Sequence, residues 1–156
     1  MRAVLQRVRE AAVTVEGRTV AGIGPGYLIL AGFGGTDSPE MVGSPLWNRF
    51  LQKIPELRLF PDSAGPINAS LRDHGGEILL VSQFTLYADA RKGRRPSFSG
   101  AARPEAARIL YDAFAADLAR LWPRVACGIF GADMDVSLVN WRSEEHTSEL
   151  QSRTVI

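Results

Sequence analysis

The sequence predicts an α+β domain: a mostly antiparallel, curved, barrel-like sheet with two main helices on one of its sides. Three observations predict it. Short runs rich in β-branched and apolar residues recur along the chain, separated by glycine and proline turns. Two longer stretches, 38–54 and 101–121, carry apolar residues at helical spacing instead. The length of 156 residues, with 46% hydrophobic and 22% charged, suits one compact core of ordinary globular composition.

Residues 1–16 read as two strands, around LQRV and AAVTVEG, with a turn at Glu16-Gly17 leading into a third near 18–22. Gly24-Pro25-Gly26 breaks the chain before YLILAGF at 27–33, the most apolar run and the signature of a buried strand. That run is far short of the ~20 residues a membrane span needs. In 38–54 the helical spacing falls on Met41, Leu46, Phe50, Leu51 and Ile54, with Pro45 as a flaw in the pattern. ELRLF at 56–60 reads as a strand, and PDSAGPINAS at 61–70 as a polar, turn-rich connection. EILLVSQFTL, entered through Gly75-Gly76, is the clearest strand of the chain. Residues 101–121 form the second helix, with Pro104 in its first turn and Ala106, Ile109, Leu110, Ala113, Phe114, Leu118 and Leu121 on one face. VACGIFG and DMDVSLV close the pattern as a further hairpin.

The one cysteine, Cys127, cannot form an internal disulfide, and MRAVLQRV has neither the apolar core nor the cleavage site of a secretory signal. A cytoplasmic protein is therefore expected. The formal net charge of +1 provides no whole-molecule field for a polyanion, so any RNA contact must be local. Arg91, Lys92, Arg94 and Arg95 around Gly93 are the candidate patch, or else a solvated loop.

Most catalytic plans fail on residue supply. The chain has two histidines, His74 in a polar turn and His146 near the C-terminus, so no Ser-His-Asp constellation can be assembled and no G-x-S-x-G elbow occurs. Cys127 lies in an apolar strand and reads as a small hydrophobe. No metal-ligand spacing is present, and the glycine-rich 22–26 stretch lacks the lysine of a phosphate loop. Neither metal catalysis nor a nucleotide cofactor is expected.

What remains is Ser82, Gln83, Phe84 and Thr85, where an apolar strand abruptly presents three polar side chains in four positions. Buried polar groups left unpaired cost about 1–3 kcal/mol each. The cluster therefore suits either a strand-end hydrogen-bond network or a site where hydroxyls, the Gln83 amide and backbone N–H groups meet an ester carbonyl.

The series MRAVLQRV, AVTVEG, IGPGYLILAG, LRLF, GEILLVSQFTLYAD, RKGRRPSF and FGADMDVSLVN resembles the D-aminoacyl-tRNA deacylases across nearly all of 1–140. The resemblance implies the fold of that family and a cytoplasmic homodimer with sites at the subunit interface. It further implies hydrolysis of the ester joining a D-amino acid, or glycine misattached to alanine tRNA, to the terminal ribose as translation quality control. The partner is aminoacylated tRNA, with no DNA, membrane, metal or cofactor. Ser82, Gln83, Phe84 and Thr85 match the family's SQxT motif and inherit the catalytic and carbonyl-positioning roles, the ribose 2′-hydroxyl assisting. Ala107 matches a position lining the adenosine pocket, Arg7 an arginine near the active site, and Lys92, Arg94 and Arg95 would meet phosphates. A non-catalytic RNA-binding module is the alternative, and an esterase of small D-amino esters a more distant one.

One departure stands out. The family continues after the equivalent of Asn140 with a glycine, a cis-proline and a threonine that exclude L-amino acids from the partner's pocket. Here Trp141 follows, and Gly24-Pro25 and Gly65-Pro66 are turns elsewhere. Residues 142–152 resemble the translation of a sequencing-library adapter, so the expected division is a domain over 1–140 and a non-native tail over 141–156. Weakened dimerisation and poor activity or poor chiral selection are the corresponding expectations.

Overall fold

The computed structural model describes residues 1–142. His146 and the tail expectation for 143–156 lie outside the described residues.

The chain opens with one long strand, β1 (Arg2–Val15), where two were expected. The charged pair Arg9 and Glu10 reads as an interruption in the sequence, but both are exposed and the backbone stays extended through them. Glu16 and Gly17, at φ 49° and 75°, make the tight turn into β2 (Arg18–Ile23), as positive φ at both centres of a two-residue hairpin requires. β3 (Gly26–Gly32) follows and is buried along almost its whole length.

β1 is paired on both edges. Val8 faces Gly26 of β3 and Ala11 faces Ile23 of β2, while on the opposite edge Val8 and Ala11 face Asn140 and Leu138 of β8 (Asp135–Asn140). β3 then pairs in parallel with β6 (Glu77–Ser82), Ala31 opposite Ser82, and β6 in parallel with β7 (Val125–Cys127). The sheet is therefore mixed, nearly closing into a barrel. The expected hairpin of the last two strands does not exist: β7 joins one end of the sheet and β8 the other. A hairpin reading takes sequence neighbours as spatial neighbours, and here the loop between them crosses the barrel instead.

The first helical stretch resolves into a short 3-10 turn (Pro39–Met41) and α1 (Pro45–Glu56). Pro45 is no flaw. It occupies the first helical position, where its missing N–H costs nothing, and Ser44 Oγ caps the helix by accepting from Trp47 N–H at 3.2 Å. β4 (Arg58–Asp62) and β5 (Gly65–Ser70) form a separate hairpin, so the segment read as a turn-rich connection contains a strand. Pro66 is compatible with it because a two-stranded ribbon leaves each strand an outer edge needing no donor. One turn of helix, α2 (Leu71–His74), is held by a Ser70/Asp73 capping box and ended by Gly75 in the left-handed conformation.

The second helix, α3 (Pro104–Leu121), buries Ala107, Leu110, Tyr111, Phe114 and Leu118. Ile109 and Leu121, assigned to the buried face, are 54% and 40% exposed. α3 packs with α1 on one face of the sheet: Trp47 meets Phe114 edge-on at 5.6 Å and donates from Nε1 to Asp117 at 2.8 Å. Tyr111 fixes helix to sheet by donating its hydroxyl to Leu80 O at 3.0 Å. The other face of the sheet closes on itself around Val8, Val13, Leu28, Leu79 and Val81. Among the described residues no helix is long and apolar enough to cross a membrane.

Candidate active site

Two neighbouring parallel strands, β3 and β6, end together, and a cleft of about 480 Å³ opens beyond them. Clefts outside the carboxyl ends of parallel strands are the usual ligand sites of such sheets. Its floor is Ala31, Gly32, Val81 and Ser82; Gln83 and Phe84 form one wall, Ala102, Pro104 and Ala107 a second, and Phe130 to Met134 a third. β6 ends at Ser82 instead of running to Leu86, and Phe84–Tyr87 form a 3-10 turn. Gly32 makes this turn possible, since a Cβ there would stand 2.6 Å from Gln83 O, inside any tolerable contact.

Gln83 N–H donates to Ala31 O at 2.7 Å, tying the turn to β3, and the Gln83 side-chain amide donates to Thr85 Oγ1. The first N–H groups of a helical turn have no partner within it. The Ser82 hydroxyl and the Gln83 side chain line the cleft beside this turn. Arg2 braces the turn from behind, donating to Leu86 O at 2.7 Å and lying 4.4 Å over the Tyr87 ring. Burial raises the Tyr87 phenol above its ordinary value, with neighbouring Asp37 adding to the shift.

Of the residues singled out in the sequence, Ser82, Gln83, Phe84 and Ala107 line this cleft. Thr85 is exposed one position beyond, linked to it through Gln83. Phe84 is 57% exposed at the mouth, edge-on to Phe98 at 5.0 Å. Lys92, Arg94 and Arg95 are exposed on an excursion whose ends are zipped by the Asp89–Ser97 bridge. Arg91 is engaged with Asp89 at 2.6 Å, which pulls the Asp89 carboxyl below its ordinary value.

Arg7 is not brought to the cleft. Its guanidinium donates to Leu59 O, to Pro66 O at 3.1 Å and to Trp141 O at 2.9 Å, clamping the β4–β5 hairpin to β1. Trp141, expected to abandon the strand pattern, donates its N–H to Arg7 O at 2.8 Å and so carries the β1–β8 ladder one residue further. Phe33, Phe130, Asp133 and Met134 are cleft residues that the sequence reading missed. In sequence, FGADMD carries a family signature and the start of a strand; its lining role depends on the loop folding back over β6.

Cys127 is half-buried, and burial pushes its thiol up, away from the reactive thiolate. His74 faces Phe60 and Trp141, and neither lines the cleft. Among the described residues lining the cleft, Ser82 and Gln83 carry hydrogen-bond donors and none is a histidine.

A family model described as D-Tyr-tRNA(Tyr) deacylase matches residues 4–142. The chain belongs to the D-aminoacyl-tRNA deacylase family. It is 58% identical over 142 residues to the D-aminoacyl-tRNA deacylase of Nitratidesulfovibrio vulgaris strain DP4, covering 90% of this chain and 88% of that one. The Chloroflexus aurantiacus D-aminoacyl-tRNA deacylase is 57% identical over 140 residues, covering 90% and 84%. Among solved structures, a c-Myc DNA unwinding element binding protein superposes with a TM-score of 0.79 at 36% identity, covering 89% and 91%. A second, described as "a probable eukaryotic D-amino acid tRNA deacylase", gives 0.74 at 18% identity over 89% and 93%, a likeness of fold. The deacylase relatives carry the name of an ester hydrolase, and the barrel-like α+β fold expected from the sequence is the fold of these neighbours.

Proposed function

We propose that this chain hydrolyses the ester bond of D-aminoacyl-tRNA, releasing the free D-amino acid and the tRNA, as a proofreading step of translation in the cytoplasm. The observation that carries the reading is the cleft at the ends of β3 and β6, where Ser82, Gln83 and Phe84 sit together in a chain 58% identical to a named deacylase. The ester carbonyl is received by the Ser82 hydroxyl, the Gln83 amide and the N–H groups of the turn, which stabilise negative charge as the tetrahedral intermediate forms. Thr85 holds the Gln83 amide in place. With no imidazole among the described residues of the cleft, the ribose 2′-hydroxyl of the substrate assists the attack of water. Ala107, small at the cleft wall, leaves room for the terminal adenosine, and Lys92, Arg94 and Arg95 meet tRNA phosphates. Glycyl-tRNA(Ala) is a second substrate, and the working unit is a homodimer.

Chiral selection is the weak point of this chain. Residues 141–156 contain no Gly-Pro pair, and we assign the loss of L-rejection to that difference. Single-turnover assays with enzyme in excess test the reading: D-tyrosyl-tRNA is hydrolysed, L-tyrosyl-tRNA is hydrolysed at a comparable rate, and grafting a Gly-Pro-Thr continuation after Asn140 restores preference for the D form. Strong D-selectivity of the chain as it stands would refute the chirality assignment.

A second reading, a non-catalytic RNA-binding module, is favoured by one observation: a structural relative at 36% identity is named for nucleic-acid binding. Phe84→Ala and Thr85→Ala separate the two. Hydrolysis predicts that Thr85→Ala lowers turnover at least tenfold with tRNA affinity unchanged; weaker binding without any turnover to lose supports the module.

A further inference from the structure

We infer that Arg2 is a positioning residue for the ester hydrolysis, holding the Phe84–Tyr87 turn, and through it Gln83 and Thr85, in place beside the cleft. The inference rests on the hydrolase reading above and adds to it a residue that lies outside the cleft.

The turn needs support from its surroundings. No side chain of Phe84–Tyr87 is buried, so apolar burial does not fix it to the sheet and polar tethers must. At its entry Gln83 N–H donates to Ala31 O at 2.7 Å. Inside it, Leu86 N–H donates to Gln83 O at 3.3 Å and Ala88 N–H to Thr85 O at 3.0 Å. The last carbonyls of a helical turn find no partner within the turn. Arg2 Nη1 donates to one of them, Leu86 O, at 2.7 Å.

The same guanidinium lies 4.4 Å over the Tyr87 ring. That ring also rests against bare backbone, since a Cβ on Gly34 would stand 2.5 Å from Tyr87 Cε1. Its hydroxyl donates to Asp37 Oδ2 at 3.5 Å, the oxygen that accepts from Gly34 N–H at 2.7 Å. Arg2 is itself registered on the sheet, opposite Gly32 at the end of β3. The exit of the turn is thus clamped between the start of β1 and the loop after β3, as its entry is tied to Ala31.

A misplacement of about 1 Å in groups that orient a reacting carbonyl can cost on the order of a hundredfold in rate. Arg2 is exposed, and substitutions at exposed positions change global stability little. Losing its side chain therefore shifts the turn without unfolding the domain. An exposed arginine could instead meet a phosphate of the RNA, which would act on affinity and not on rate.

The test follows single-turnover hydrolysis of D-tyrosyl-tRNA over a range of excess enzyme concentrations, so that the maximal rate and the half-saturating concentration are read separately. The proteins are the wild-type chain, Arg2→Met, Arg2→Lys and, to control for the lost charge, Arg18→Met on β2. Melting temperature and amide hydrogen exchange are recorded for each. Arg2→Met should lower the maximal rate at least tenfold, with half-saturation within twofold of wild type and an unchanged melting temperature. Its Leu86 and Ala88 amides should exchange at least fivefold faster while those of β3 and β6 do not change. Arg2→Lys, which keeps a donor, should recover to within threefold of wild type, and Arg18→Met should match it. A loss confined to half-saturation, an unchanged maximal rate, or an equal loss in Arg18→Met overturns the assignment. So does a rate loss that comes with a lowered melting temperature and is not recovered by Arg2→Lys. Each of these leaves the hydrolase reading standing; a wild-type chain that hydrolyses no aminoacyl-tRNA overturns both.

Discussion

His74 lies flat against Phe60, ring centroids 4.4 Å apart and 8° from parallel, with Trp141 edge-on at 5.6 Å. Burial against these rings lowers its pKa below the ordinary 6.5, and the Arg7 and Arg9 charges lower it further. An imidazole harder to protonate in the folded state favours folding above its unfolded value and loses that contribution as the unfolded chain takes up protons. Stability should therefore fall as pH drops below about 6.5, and His74→Phe, which keeps the stack and removes the titration, should flatten the dependence between pH 7.5 and 5.5. Denaturant midpoints across that range check it; an unchanged slope in the variant would place the titration elsewhere. At this scale the sequence was only half informative. RDHGGE correctly marks an exposed position, but the partners that set the chemistry of His74 come from β1, β4 and the residue after β8, which no local pattern announces. The same holds for the cleft. Ser82, Gln83 and Phe84 are visible as polar and aromatic punctuation on an apolar strand, whereas Asp133 and Phe130 look like ordinary loop residues until the loop folds over β6.

Elements were legible where one period dominates. β3, β6 and α3 emerge nearly where continuous apolar runs and helical spacing place them, because burial on both faces, or along one stripe, leaves an unambiguous pattern. β1 reads as two strands and β5 as a turn-rich connection, because exposed charges and a proline mask extended backbone. The parallel pairings escaped entirely, since they depend on crossovers that bring distant segments side by side. Arg7 shows what such long-range assembly adds: one guanidinium joins β1, the β4–β5 hairpin and the residue after β8 through three carbonyls. Arg7→Met keeps the aliphatic stem and strands those acceptors, which should destabilise the protein by about 2 kcal/mol. Chemical denaturation measures that loss. The companion measurement is KM for aminoacyl-tRNA, which should stay within twofold if Arg7 acts as a clamp; a raised KM with undiminished stability would return it to the substrate.

At the level of the whole molecule, a net charge of +1 leaves RNA affinity to local cations. The exposed loop bearing Lys92, Arg94 and Arg95 concentrates them at one edge, near Phe98 and the cleft mouth. Each phosphate contact contributes roughly 0.7–0.9 to the slope of log affinity against log salt. Replacing all three residues by alanine should weaken tRNA binding and reduce that slope by roughly 2, read from anisotropy titrations over a salt series. An unchanged slope would show that the loop is merely solvated.

The double-edged pairing of β1 has a further consequence, for the order in which the molecule can assemble. During synthesis β1, β2 and β3 emerge first and can pair at once, but one edge of β1 must wait for β8, more than a hundred residues later. Such distant contacts are slow to form because their loop must close before they contribute. The third wall of the cleft, Phe130 to Met134, leaves the ribosome in the same late segment. A nascent chain paused before β8 would display an open strand edge and a two-walled groove, so ester hydrolysis should switch on abruptly with β8, in step with the closing of the sheet.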